Sequence, residues 1–79
     1  MNLAEHDVSF HEAGTVFDDP LAITYPDIDH SEGESRYLTF GTSTNGRLLV
    51  IAHTEDGDTI RIISARLATR MERTIYEEG

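Results

Sequence analysis

The chain contains no cysteine, no lysine and no tryptophan, and only two prolines. Without cysteine, neither a disulfide framework nor a thiolate metal site can stabilise so short a chain. No apolar run approaches the roughly 18 residues that a membrane span needs. The first ten residues, MNLAEHDVSF, lack the basic and apolar regions of a signal peptide. We therefore expect a cytoplasmic protein that does not enter a membrane.

At 79 residues the sequence is long enough for one small domain and too short for two. Its apolar residues, 38% of the chain, occur in periodic runs, which indicates a folded protein rather than a disordered one. A core of this size is marginal and often gains stability from a partner. A binding partner or a homodimer is therefore expected.

The absence of lysine means that every basic side chain apart from histidine is a guanidinium, which suits bidentate contact with phosphate or carboxylate. The formal net charge of -9 is unevenly distributed. Residues 1–35 hold nine acids and no arginine, whereas residues 36–79 hold six arginines and six acids. Four of the six arginines lie within residues 61–73, so an anionic ligand is a natural hypothesis for that segment.

The first predicted helix spans about residues 10–17. Ser9 and Glu12 have the spacing of a capping box at its start, and Val8 and Ala13 occupy the positions of a hydrophobic staple. Its buried stripe should consist of the apolar residues that recur at three- and four-residue spacing: Phe10, Ala13, Val16 and Phe17.

Four segments are predicted as strands: 21–26, 36–43, 47–54 and 59–64. Asn45-Gly46 is a strong hairpin signal between the second and the third, and EDGD at 55–58 marks the next turn. The third strand has a continuous apolar run, so we expect it to be central. Residues 27–35 form an acidic stretch without periodicity, which we interpret as a solvated loop.

The closing helix is predicted at about residues 70–78. Thr69 and Glu72 repeat the capping-box spacing at its start, and Met71 and Ile75 are expected to face the sheet. The element order therefore predicts an α+β fold, a small antiparallel sheet meander flanked by N-terminal and C-terminal helices.

The clustered arginines are the main chemical signal. Arg61 should lie on the strand face opposite to its isoleucine neighbours, Arg66 in the connection, and Arg70 and Arg73 on one side of the closing helix. Together they would form a cradle for a phosphodiester. Alternatively, Arg70 and Arg73 solvate an exposed helix face or pair with Glu77 and other acids.

Three further residues have two interpretations each. Glu72 is either a catalytic carboxylate or only the helix cap. Tyr76, one turn later, either stacks on a base or packs against the domain. His53 follows the apolar run of the central strand and is either a general acid or base or a hydrogen-bonded, semi-buried residue.

Metal and cofactor motifs are missing from the sequence. His6, His11 and His30 do not have a metal-ligand spacing, and the acidic stretch lacks the pattern of a calcium loop. No P-loop, dinucleotide fingerprint or nucleophile elbow occurs. We expect no metal and no cofactor.

Four stretches resemble the BrnT family of toxin-antitoxin ribonuclease toxins: HDVSFHEAGTVFDDP, HSEGESRYLTFG, GRLLVIAHT and IRIISARLATRMERTIYE. The resemblance runs from about Asn2 to Glu77. It implies a RelE-like fold, metal-independent RNA cleavage that inhibits translation, and neutralisation by a ribbon-helix-helix antitoxin of the BrnA type. It also implies that toxin and antitoxin together bind their promoter DNA, through the antitoxin.

Site residues follow from the same resemblance. Arg61, Arg66 and Arg70 fill the family's basic positions, and other residues match positions of its pattern: His53, Glu72, Arg73 and Tyr76. The resemblance implies catalytic roles for His53 and Glu72 and RNA contacts for Arg73 and Tyr76.

The sequence departs from the family at its start. The usual strand of the kind F-x-W-D-x-x-K is missing, and Glu5 replaces the usual lysine. We therefore predict one BrnT-like domain over residues 1–79 that lacks the family's first strand. An exposed sheet edge would favour pairing with another chain. A non-catalytic or attenuated binding module, in which the arginines serve an acidic partner, and a homodimer are the alternatives.

Overall fold

A computed structural model describes residues 2–3, 7–28 and 35–79. In chain order the elements are β1 Asn2–Leu3, β2 Val8–Ser9, α1 Phe10–Thr15, a 3-10 turn Val16–Asp18, β3 Ile23–Pro26, β4 Arg36–Thr42, β5 Leu48–Asp56, β6 Thr59–Leu67 and α2 Arg70–Glu78. Strands β1 and β2 form a small antiparallel pair, and the other four form an antiparallel sheet in the order β3-β4-β5-β6. The predicted α+β class is confirmed. Most of the predicted acidic loop, including His30, lies outside the described residues. Glu5 and His6, near the start of the chain, lie outside them as well.

Helix α1 begins where the sequence predicts. The Ser9 hydroxyl accepts a hydrogen bond from the backbone N–H of Glu12 at 2.9 Å, which caps the helix. Val8, Ala13 and Val16 are fully buried, and the 3-10 turn continues the helix to Asp18. The predicted staple positions and most of the predicted stripe therefore belong to the core.

Strands β4 and β5 form the predicted hairpin across Asn45-Gly46. Gly46 has a φ of 79°, a left-handed conformation that glycine adopts without steric cost. Gly41 allows close approach of the 3-10 turn, because a Cβ there would lie 2.7 Å from Val16 Cγ1. β5 is buried from Leu48 to Thr54, which confirms that it is central.

The four-stranded sheet has a core face, which packs against α1, and an opposite face, which we call the second face. The core face includes Leu49 and Ile51, which are both 0% exposed. The second face holds the alternating residues Val50, Ala52 and Thr54. These three are also buried, at 2%, 6% and 9% exposure, so the central strand is covered on both sides.

Helix α2 occupies the predicted residues and has both halves of the predicted capping box. Thr69 accepts from Glu72 N–H at 3.2 Å, and the Glu72 carboxylate accepts from Thr69 N–H at 2.9 Å. The prediction that Met71 and Ile75 face the sheet is wrong, because they are 75% and 38% exposed. Polar contacts of Glu72 and Tyr76 set the rotation of the helix instead.

Glu12 links α1 to the hairpin loop. Its carboxylate does not reach back to the helix start; it accepts hydrogen bonds from the guanidinium of Arg47 and, at 2.7 Å, from the hydroxyl of Ser43. The Arg47 contact lowers the pKa of Glu12 to about 2, although burial opposes the shift. Glu12, whose spacing predicts the second half of a capping box, instead forms a buried ion pair with Arg47.

Replacing Glu12 with Gln should lower the free energy of unfolding at pH 7 by about 1–3 kcal/mol, because buried hydrogen bonds of a charged group are lost. Since the folded-state pKa lies below the ordinary 4.5, this stabilisation is present above pH 4.5 and is lost as the pH falls towards 2. Denaturant unfolding of both proteins between pH 7 and 2 measures it. The exposed Glu78→Gln variant is the control and should be as stable as the parent. A Glu12→Gln protein as stable as the parent at pH 7 would contradict the stabilising role of the Glu12 ion pair.

Candidate functional site

The four clustered arginines lie on β6 and α2, and we call them the arginine cluster: Arg61, Arg66, Arg70 and Arg73. Arg61 and Arg66 are five residues apart, so in a regular strand they would lie on opposite faces. The register shifts in β6: His53 pairs with Ile62, whereas Ala52 pairs with Ser64, which leaves Ile63 as an extra residue. This bulge places both arginines on the second face.

Cross-strand pairing identifies the neighbours of the two arginines on the second face. Arg61 is opposite Thr54, and Arg66 is opposite Val50. Arg36 is also opposite Thr54, from the other side, so Arg36 lies in the same cross-strand row as Arg61. Its Nε lies 3.7 Å from the carboxylate of Asp27. Sequence reasoning missed Arg36, because its place in the row depends on the register of three strands.

Arg66 is held by Glu72 in a two-pronged ion pair. Nη1 and Nη2 donate to the two carboxylate oxygens at 2.6 and 2.7 Å, and Nη1 also donates to the carbonyl of Leu67 at 3.3 Å. Hydrogen bonding from Arg66 lowers the pKa of Glu72 to about 2 despite burial, and the same pair raises the pKa of Arg66. Both groups are therefore charged at neutral pH.

The ion pair leaves one edge of the Arg66 guanidinium available. Its Nε–H and the second N–H of Nη2 have no hydrogen-bond partner among the described residues. These two donors point in parallel and match two oxygens of a phosphate. The side chain is 38% exposed and that of Glu72 17%, so Glu72 orients the guanidinium from the inner side.

The other three members of the arginine cluster are exposed. Arg61, Arg70 and Arg73 have no ion pair through their guanidiniums among the described residues. The alternative that Arg70 and Arg73 pair with Glu77 is therefore not seen in the structure. Three exposed guanidiniums on the same two elements as the oriented one make the local field positive there, which attracts an anion.

His53 lies on the core face and is 1% exposed, so the structure does not bring it to the arginine cluster. Its Nε2 is 2.7 Å from the hydroxyl of Thr39, and burial lowers its pKa. The ring contacts Phe17 edge-on at 5.0 Å and stacks on Tyr37 at 5.8 Å between centroids. These contacts match the hydrogen-bonded interpretation; its catalytic role stays a prediction.

Tyr76 connects α2 to the rest of the domain. Its hydroxyl donates to a carboxylate oxygen of Asp19 at 2.6 Å and accepts from the hydroxyl of Thr42 at 3.2 Å. Burial opposes ionisation of Asp19, but hydrogen bonds from Thr42, Tyr76 and Leu21 together lower its pKa. Asp19 was not predicted from the sequence. Stacking of Tyr76 on RNA stays a prediction, and it would have to be compatible with the hydrogen bonds of the Tyr76 hydroxyl to Asp19 and Thr42.

Ser64 is a further residue that sequence reasoning missed. Opposite Ala52, it is exposed on the second face between Arg61 and Arg66. Its hydroxyl can donate to an anionic oxygen. The only sequence signal was its position inside the arginine-rich segment, because the bulge that assigns it to this face cannot be recognised from residue types alone.

Metal-ligating residues do not cluster in the described part of the chain: no group of three or more histidines, acids or cysteines there could hold a metal ion. Within the same ranges, no helix has the length and apolarity needed to cross a membrane.

One similarity to known proteins bears on the arginine cluster of β6 and α2. No curated protein matches the chain. The family model described as "Ribonuclease toxin, BrnT, of type II toxin-antitoxin system" matches residues 1–72, which include β6, Arg66 and Glu72. The match therefore covers β6 and the start of α2, with Arg61, Arg66 and Arg70, and ends before Arg73 and Tyr76. The chain belongs to the BrnT family of ribonuclease toxins of type II toxin-antitoxin systems.

Proposed function

We propose that the chain is a metal-independent endoribonuclease that inhibits translation, with the arginine cluster as its phosphate site. The observation that supports this most is the Arg66 guanidinium, which Glu72 orients with one two-donor edge unoccupied. Arg61 shares its face because of the bulge at Ile63. An RNA backbone crossing the second face would meet both guanidiniums.

The proposed reaction is attack of a ribose 2′-hydroxyl on the adjacent phosphorus. The O2′–P bond forms, the P–O5′ bond breaks, and the proton lost from the 2′-hydroxyl is balanced by one gained at O5′. Negative charge increases on the non-bridging oxygens in the transition state, where fixed guanidiniums stabilise it most. Arg66 acts through its free edge, and Arg61 and Arg70 add positive charge beside it.

Glu72 and His53 are the two predicted site residues that bear on proton transfer. Glu72, with a pKa of about 2 and both oxygens engaged by Arg66, is a weak base. We assign Glu72 to positioning, because a carboxylate that orients a guanidinium raises the rate through geometry. His53 would have to leave its site against Thr39 to reach the RNA. Charge stabilisation is therefore the main contribution in the proposed mechanism.

The proposed partners follow from the family. A type II system implies a protein antitoxin and an RNA target for this chain. We propose that the antitoxin is a ribbon-helix-helix protein of the BrnA type, and that the complex reaches promoter DNA only through it. The non-catalytic alternative is supported by the ion pair of Arg66 with Glu72, since a guanidinium whose charge is balanced by a carboxylate could serve binding alone.

Cleavage of a synthetic oligoribonucleotide by the purified chain tests the mechanism. Arg66→Ala should lower kcat/KM about 100- to 1,000-fold, as removal of a transition-state donor does, and Arg66→Lys should not restore it because lysine lacks the planar fork. EDTA should leave the rate unchanged. A substrate with one 2′-deoxyribose at the cleaved position should resist cutting.

The matched control is Leu21→Glu, which lowers the net charge by the same unit at a site that is 69% exposed. Loss of activity with EDTA, or equal activity of Arg66→Ala and the parent, would overturn the mechanism. A parent protein that binds the RNA but never cuts it would favour the non-catalytic alternative.

The Glu72→Gln variant tests whether Glu72 acts by orienting the guanidinium of Arg66 or through its own negative charge. Glutamine can still serve in a capping box, but it no longer holds Arg66 through a charged two-pronged contact. Removing one negative charge should improve RNA binding, so KM should fall two- to threefold, whereas the loosened guanidinium should lower kcat about tenfold. Steady-state kinetics measures both constants. A rise in KM with kcat unchanged would instead indicate that Glu72 helps RNA binding.

A further inference from the structure

The second face changes across its four strands, from apolar and aromatic side chains on β3 and β4 to basic side chains on β6. Its cross-strand rows run from β3 through β4 and β5 to β6. Two complete rows lie side by side, the first with Ile23, Phe40, Val50 and Arg66, and the second with Tyr25, Leu38, Ala52 and Ser64. An aromatic side and a guanidinium side therefore border one continuous face.

The central strand β5 forms the floor between these two sides. Its second-face residues have small side chains and are only 2–9% exposed: Val50, Ala52 and Thr54. Helix α2 makes its hydrogen bonds to this face with Arg66 and Thr42, near the Leu48 end of the sheet. The row of Tyr25 is one row further from that end, and its two end residues, Tyr25 and Ser64, are exposed. A ligand can therefore reach this row without displacing α2.

Tyr25 is an exposed aromatic residue on this face, and sequence patterns did not single it out. It is 41% exposed on the edge strand β3. Its ring meets that of Phe40 edge-on, with 5.6 Å between centroids and 60° between planes, which holds the ring in place. Its hydroxyl has no hydrogen-bond partner among the described residues. A ring that is fixed and still exposed is suited to stacking on a flat ligand.

The basic side of the face indicates which flat ligand fits. Arg61, Ser64 and Arg66 lie on β6, three strand spacings or about 14 Å from β3. Guanidiniums bind the phosphates of a nucleic acid, and the bases of a single strand are free to stack on aromatic rings. An RNA strand whose phosphates follow β6 would extend its bases over the small side chains of β5 towards Tyr25. A duplex would not, because its bases are stacked inside it.

We propose that Tyr25 is a stacking platform for an unpaired base of the RNA whose phosphates bind Arg61 and Arg66. This inference rests on the proposed function and adds a substrate class, single-stranded RNA, and a binding residue on the opposite side of the sheet. Tyr25 suits the role better than Tyr76, because Asp19 and Thr42 hold the hydroxyl of Tyr76, whereas that of Tyr25 is free among the described residues.

The first test measures binding of the full chain to a single-stranded oligoribonucleotide, methylated on its 2′-hydroxyls to prevent cleavage, by fluorescence anisotropy. Tyr25→Leu keeps an apolar contact with Phe40 but removes the ring, so Kd should rise at least about fivefold. Tyr25→Phe keeps the ring and should bind as the parent does. Annealing the oligonucleotide to its complement hides the bases, and Tyr25→Leu should then bind as the parent does.

The matched control is Tyr37→Leu, the same change on the core face of β4, where Tyr37 stacks on His53. It should leave Kd unchanged, and thermal unfolding checks that each variant folds.

A second test uses the absence of tryptophan from the chain. Tyr25→Trp introduces one fluorophore at the platform, and stacking on a base should quench its emission as the single strand saturates the protein. Thr24→Trp is the control, because Thr24 is the neighbouring exposed residue and lies on the core face, opposite Thr39. Its emission should not change with RNA.

Equal Kd values for Tyr25→Leu and the parent, an equal rise in Kd for single strand and duplex, or equal quenching in both tryptophan variants would overturn the platform. Cleavage separates the two proposals. A parent that cuts RNA, with Tyr25→Leu binding as tightly, keeps the nuclease and rejects the platform. A parent that binds the single strand through Tyr25 and never cuts RNA supports the platform and rejects the nuclease.

Discussion

The extra residue in β6 determines which side chains share a face, and the site depends on it. With Ile63 inserted opposite the step from Ala52 to His53, Ile62 and Ala65 both reach the core face. The same insertion puts Arg61 and Arg66 together on the second face. A regular strand would separate the two guanidiniums. Bulges at sheet edges often redirect a side chain towards a site, and this one does so without sacrificing the core.

The acidic composition is compatible with RNA binding because acids of the N-terminal half have internal partners. Glu12 binds Arg47, Asp19 accepts from Tyr76, and the carboxylate of Asp27 lies 3.7 Å from a guanidinium nitrogen. The arginines of β6 and α2 are mostly solvated, so the local field near them is positive despite the net charge of -9. Composition averaged over the chain conceals this division.

Local patterns predicted the elements well and their contacts poorly. The two capping-box spacings, the Asn45-Gly46 turn and the apolar run of β5 are local signals, and each marks its element correctly, although only α2 has a complete capping box. The rotation of α2 depends on Arg66 and Asp19, so Met71 and Ile75 could not be assigned a face from helical periodicity alone. The second role of Glu12 and the row containing Arg36 likewise require knowledge of strand register.

The most direct measurement is nuclear magnetic resonance of the arginine Nε–H groups during titration with an oligoribonucleotide whose 2′-hydroxyls are methylated to prevent cleavage. Six arginines and no lysine make these signals few and assignable. The Nε–H of Arg66 and that of Arg61 should shift with RNA, whereas that of Arg47, which Glu12 holds at 2.9 Å, should not. Unchanged Arg61 and Arg66 signals at saturating RNA would contradict a phosphate site on the second face.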